Sequence, residues 1–122
     1  MTYSQSQGTI NAAGNVITGC YAGRDPWKNN PQAQNVPNFG PLPQGRYTMS
    51  PLHVVPHLGP CIALTPYPDN VMFGRSGFFI HLDNPVHVGA SSDGCIVLKS
   101  YSDLRTVELD RGLGDSILEV FE

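Results

Sequence analysis

From Met1 to Gly94 no stretch free of both glycine and proline exceeds seven residues, whereas Cys95 to Arg111 contains neither. All eleven prolines lie at or before Pro85. An average helix needs about 11–12 residues, and an interior proline costs about 3 kcal/mol. The punctuated part therefore cannot build a helical bundle. It is limited to short strands and turns, and the one good helix site lies after Cys95.

The remaining composition excludes several classes. At 122 residues the chain suits a single domain spanning 1–122. Seven basic and ten acidic residues give a net charge of -3, and charged residues total 14%. That is well below the usual ~25%, which argues against a nucleic-acid partner and against a charge-solvated disordered tail. No apolar run approaches the ~20 residues of a membrane span, so no membrane insertion is expected. The segment Met1-Thr2-Tyr3-Ser4-Gln5 lacks the basic start and apolar core of a signal peptide. The expectation is a product made in the cytoplasm that needs another route if it works outside.

Along the chain, Thr2–Gln7 and Val16–Thr18 have strand character, with turns at Gly8 and Asn11–Asn15, and read as an N-terminal hairpin or meander. Cys20–Gly23 ends it. Arg24–Gly40 is a long loop rich in Asn, Pro and Gln, of a length that tends to be functional. Trp27 in that loop either packs it down or lines a cleft. Further strands are expected at Arg46–Met49, Cys61–Thr65, Gly77–Leu82, Cys95–Leu98 and Ile117–Phe121. Ser100-Tyr101-Ser102-Asp103 has the form of a capping box, predicting a helix to about Leu109.

Three cysteines are too few for a disulfide scaffold. Cys20 and Cys61 either form one bridge or serve as small buried hydrophobes. Cys95 has a different setting. It follows the small polar turn Ser91-Ser92-Asp93-Gly94 and opens an apolar strand, while His81 ends another apolar strand upstream. A cysteine attacks as thiolate and needs a base or cation nearby; a histidine on a neighbouring strand end can supply it. Gly94 permits a turn that aims the amides of Gly94 and Cys95 at one point, as an oxyanion hole requires. On spacing alone a buried structural Cys95 is an equal alternative.

Ser92-Asp93-Gly94-Cys95-Ile96 resembles the S/T-x-G-C signature of the L,D-transpeptidases with a YkuD-type catalytic domain, with His81 in the place of their upstream histidine. Gly40-Pro41-Leu42-Pro43-Gln44-Gly45-Arg46-Tyr47 is similar to the G-P-[IL]-P-x-G-x-Y segment of that superfamily. Phe73 to His81 resembles the run leading to its histidine. The likeness is strongest to a compact branch that includes type VI secretion-delivered effectors, antibacterial toxins acting on peptidoglycan in a rival's periplasm. Two positions depart from the common pattern: Leu82 stands where many members have Gly, and Asp93 where many have His. A carboxylate at position 93 disfavours a nearby oxyanion unless it points away.

The resemblance implies a small mainly β sandwich or barrel with one short helix after the cysteine. It implies a peptidoglycan enzyme, an L,D-carboxypeptidase and L,D-transpeptidase that needs no metal or other cofactor. Cys95 would be the nucleophile, His81 the base and Ser92 the support of the turn, with Gly94 and Cys95 holding the oxyanion. Stem peptides are the expected substrate, contacted by Arg75, Phe73, His87, Ser91 and Asp93. An immunity protein and a component of the secretion apparatus are the expected protein partners. For Arg75 the bland alternative is a surface ion pair, and for His87 an exposed loop position. Zinc sites at His53/His57, or at His81, His87 and Cys95, are weaker options. Two rival functions stand beside the enzyme: a non-catalytic wall-binding module of the same fold, and a cysteine amidase or peptidase cutting another bond.

Overall fold

The computed structural model describes all 122 residues, with 34% in strands and 12% in helix. Three short strands open the chain: β1 (Thr2–Ser4), β2 (Thr9–Ala12) and β3 (Asn15–Ile17). They form the antiparallel meander that the sequence predicts. The β2–β3 turn is Ala13-Gly14, at φ 50° and 84°, the two-residue geometry that matches strand twist. Asn11 and Ala12, expected in that turn, belong to β2 because Ile10 and Ala12 point into the core while Asn11 stays outside.

The remaining elements are β4 (Tyr21–Ala22), β5 (Gly45–Met49), β6 (His53–Val55), β7 (Gly59–Pro66), β8 (Phe78–Leu82), β9 (Ile96–Leu98), α1 (Tyr101–Gly112) and β10 (Ile117–Phe121). All strands join one curled, half-barrel sheet in the order β3-β2-β1-β10-β5-β7-β8-β9-β4, with β6 added beside β7. Two elements depart from the sequence reading. Cys20–Gly23 does not simply end the meander, since Tyr21–Ala22 crosses to pair with β9. The strand β6, hidden between Pro51 and Pro56, pairs with β7 alone, at an edge where prolines are tolerated.

Alternation decides which side of the sheet does what. On β8, Phe78 and Ile80 enter the core and leave Phe79 and His81 on the opposite face. On β10, Leu118 and Val120 are buried between exposed Ile117, Glu119 and Phe121. The helix packs against β2, β8 and β9, and contributes Leu104 and Val107 to the same core. Cys20 and Cys61 are both buried and unbridged. No helix is long and apolar enough to cross a membrane.

Strands β8 and β9 run parallel, in the register Ile80↔Ile96 and His81↔Val97. A parallel neighbour cannot be reached by a tight hairpin and needs a connection of about a dozen residues or more. Residues 83–95 supply it, and they carry the polar turn before Cys95.

The chain leaves β9 straight into α1. Ser100 caps it, its hydroxyl accepting the Asp103 N–H at 3.2 Å. The helix continues past Leu109 through Gly112, held in its last turn by Arg111 donating to Glu108 at 2.8 Å. Replacing Ser100 by Ala removes that capping acceptor and is expected to lower unfolding free energy by about 1 kcal/mol. Urea denaturation measures it; an unchanged midpoint would show that the cap contributes nothing.

Candidate active site

The register of β8 and β9 puts Cys95 level with Phe79 and so diagonally placed to His81, with Cys95 partly buried against the edge of the core. Both line one open cavity of about 420 Å³, together with Leu58, Gly74 to Phe78, Ser91 and Asp93. A second cavity of about 500 Å³ lies on the other side of His81, lined by His57, Leu58, Asp83, Asn84, His87 and Ser91 among others. His81 and the hairpin tip at Leu58 are common to both, so the two form one cleft with the imidazole between them.

The histidine is set for a definite role. Its Nδ1 donates to the Leu82 carbonyl at 2.8 Å, which fixes the ring and leaves Nε2 as the proton acceptor. Burial pushes its pKa below the ordinary 6.5, against the raising effects of that carbonyl and of Asp83. Burial likewise pushes the Cys95 thiol above its ordinary 9.0, although the Phe79 N–H, donating to Sγ at 3.4 Å, favours the thiolate. The pair at neutral pH is therefore thiol and neutral imidazole. No hydrogen bond joins them; Sγ lies between the Phe79 N–H and the Gly77 carbonyl, 3.9 Å away.

Ser92 builds the turn. Its buried hydroxyl accepts from Gly23 N–H at 2.9 Å and Gly94 N–H at 3.0 Å, and donates to the Cys95 carbonyl at 2.6 Å. This corrects one expectation. The Gly94 amide is engaged by Ser92 and is not free to hold an oxyanion, whereas the Cys95 amide has no acceptor beyond its own sulfur. Gly94 remains obligatory for shape: its φ is 140°, and a Cβ there would stand 2.5 Å from Arg75 Nη2 and 2.8 Å from the Phe78 ring.

Arg75 departs from expectation more sharply. It is buried, and its guanidinium donates to four backbone carbonyls: Gln34 and Pro41 at 2.7 Å, Gly40 at 2.9 Å and Asp93 at 3.1 Å. It is neither a surface ion pair nor a free fork awaiting a substrate carboxylate. The exposed Asp93 side chain turns outward to Arg24 at 2.7 Å, yet it still lines the cavity, and its charge works against a thiolate at Cys95.

Phe73 does not reach the cavity. It sits on an exposed turn at φ 56°, followed by Gly74 at φ 73°. His87 lies in the second cavity, apart from Cys95, so the set His81, His87 and Cys95 is not brought together. Ser91 lines both cavities. His53 is bonded to the Pro51 carbonyl at 2.9 Å and faces Cys61 Sγ at 3.9 Å, while His57 occupies the β6–β7 turn. Trp27 packs against Phe39, ring centres 5.0 Å apart, and does not line the cleft.

Asp83 and Tyr21 escaped the sequence reading. The Asp83 carboxylate accepts from Tyr21 Oη at 2.7 Å, Ser91 Oγ at 2.9 Å and Gly89 N–H at 3.0 Å, and Ser91 N–H returns to Tyr21 Oη at 2.9 Å. Burial works against the charge, but these bonds outweigh it and hold the carboxyl below its ordinary value. The network ties the 83–91 segment to β4. Position 83, two residues after His81, was the only available signal.

Taken together, the molecule is a mainly β domain with a thiol and an imidazole facing one cleft from adjacent parallel strands. The chain belongs to the Tlde1 domain family, whose model matches residues 17–113; these are type VI secretion L,D-transpeptidase effectors. Neither a search of curated proteins nor one of solved structures finds a match.

Replacing Ser92 by Ala leaves two buried amides without their acceptor, at about 1–3 kcal/mol each. A loss of roughly 2 kcal/mol or more in unfolding free energy is expected. Urea melts of the two proteins read it, and equal stability would remove Ser92 from the scaffold of the turn.

Proposed function

We propose that this protein is a peptidoglycan L,D-carboxypeptidase that also performs L,D-transpeptidation and D-amino acid exchange, acting as an antibacterial effector in a rival's periplasm. The observation that carries the reading is the pairing of His81 and Cys95 on one cleft, with Nε2 of a buried neutral imidazole available as base. Family membership supplies the reaction class.

In this reading Cys95 Sγ attacks the carbonyl that links the L-centre of diaminopimelate to the terminal D-alanine. His81 Nε2 takes the thiol proton as the C–S bond forms. The tetrahedral oxyanion is met by the Cys95 amide. When the C–N bond breaks, the imidazolium returns the proton to the departing D-alanine, leaving a thioester. Water, a free D-amino acid or a second stem amine then attacks the thioester, giving trimming, exchange or a 3-3 crosslink. The thiol–imidazole separation in the unliganded cleft is compatible with this, because catalytic hydrogen bonds commonly tighten only once substrate is bound. An immunity protein that covers the cleft and a delivery partner in the secretion apparatus follow from the effector role.

Purified tetrapeptide muropeptides test the assignment through D-alanine release. Cys95→Ala should abolish release, and His81→Gln should reduce it by about 10²–10⁴-fold; a fully active Cys95→Ala would sink the reading. The pH dependence has a defined sign. Protonated His81 cannot accept the thiol proton, and its pKa lies below 6.5. The acid limb of kcat/KM should therefore have its midpoint below 6.5, and a midpoint above that value would identify a different base.

A further inference from the structure

Arg75 is the one buried cation beside the cleft, and no carboxylate pairs with it. Its four acceptors are carbonyls from three parts of the chain: Gln34, Gly40 and Pro41 in the long loop and its exit, and Asp93 in the turn before Cys95. The acid of the turn that Arg75 holds, Asp93, pairs its carboxylate with Arg24. The Phe78 ring covers the guanidinium at 5.2 Å. Carbonyl dipoles solvate the cation without cancelling its charge, so a net positive charge remains under the turn. The fit is tight, since even one methyl group on Gly94 would meet Nη2 at 2.5 Å.

We infer that Arg75 is a positioning residue of the reaction, one that locks the Asp93–Gly94–Cys95 turn through the Asp93 carbonyl and sets a positive charge beside Cys95, opposite to the Asp93 carboxylate that lines the same cavity. The inference rests on the proposed role of Cys95. Two physical effects combine. Arginine's planar fork spans several acceptors at once, which the point charge of lysine cannot do. Preorganised charge in a partly desolvated site stabilises developing negative charge without reorganisation. The groups that face this charge are Cys95, His81 across the cavity, the Tyr47 phenol and the outward-turned Asp93; of these, Tyr47 and Cys95 would attract the guanidinium only when deprotonated, against the effect of its burial.

Two variants separate the effects. Arg75→Lys keeps the charge and loses the span. Displacements of order 1 Å cost up to about 10²-fold, so kcat for D-alanine release should fall roughly ten- to a hundredfold with KM within about twofold. Arg75→Met removes the charge as well. The rate of iodoacetamide alkylation at Cys95, followed by peptide mass spectrometry against pH, should then shift its midpoint up by about one unit, a roughly tenfold loss at neutral pH. In Arg75→Lys that midpoint should stay at the wild-type value. A raised KM with unchanged kcat would overturn the inference in favour of substrate binding. A folded Arg75→Met with the wild-type alkylation midpoint would reduce the residue to a structural clamp and also overturn it. If Arg75→Met does not fold, the kcat and KM of Arg75→Lys decide. Alkylation needs no substrate, so a wild-type protein that releases no D-alanine would overturn the proposed reaction and still leave the alkylation shift to judge Arg75.

Discussion

Everything in the cleft depends on the parallel pairing of β8 with β9. The register Ile80↔Ile96 sends the two isoleucines into the core. By the two-residue period of a strand it must then present His81 on the other face, with Cys95 placed diagonally to it. A slip of one residue would turn the imidazole into the apolar core and the isoleucines out of it, so the core enforces the site geometry. The same pairing demands a long return connection. The segment between the strands is thereby available to form the cleft wall, the Asp83 network and the turn at Ser92.

The long loop that precedes β5 works with this pairing as a strap. Gly23 is bonded to Ser92, Leu42 N–H donates to the Gly94 carbonyl at 3.0 Å, and Arg75 ties Gln34, Gly40 and Pro41 to Asp93. Each bond joins a residue before β5 to the turn before Cys95 or to the arginine that holds it. The turn before Cys95 is thus held by hydrogen bonds to backbone groups, in a chain too small to bury a second apolar layer behind it. Polar bonding substitutes for core packing at the place where shape matters most.

Much of this was legible in the sequence, for physical reasons that can be named. Glycine and proline spacing excluded long helices, and the sole breaker-free run became α1, started by the Ser100 cap as the S-x-x-D pattern required. Apolar runs gave β8 and β10 nearly to the residue and the middle of β7, whose ends at Gly59-Pro60 and Pro66 the sequence hides. The short strands β4 and β6 were hidden because two or three residues carry no periodicity, and their pairing is dictated by distant partners. At the site, local chemistry left Cys95 evenly balanced between a nucleophile and a buried structural thiol; the family resemblance singled it out together with His81 and Ser92. Arg75 was visible but misread, because a sequence shows a charge and not the carbonyls that will surround it. The Gly94 amide failed for the same reason: its partner is a hydroxyl two residues away, and only the fold decides which way that hydroxyl turns.

The buried guanidinium and the exposed carboxylate explain one another. An unpaired buried charge is costly, and a carboxylate three atoms from the turn would be the natural partner for Arg75. Had Asp93 turned inward, an ion pair would have satisfied the arginine in place of the four carbonyls. Arg24 draws Asp93 away at the surface, at an exposed pair worth little in itself. The carbonyls then take over the solvation of Arg75 at full hydrogen-bond distance. The surface contact thus matters less for stability than for direction: it turns the Asp93 carboxylate toward Arg24, from where it still lines the cavity and opposes a charge on Cys95 that Arg75 favours.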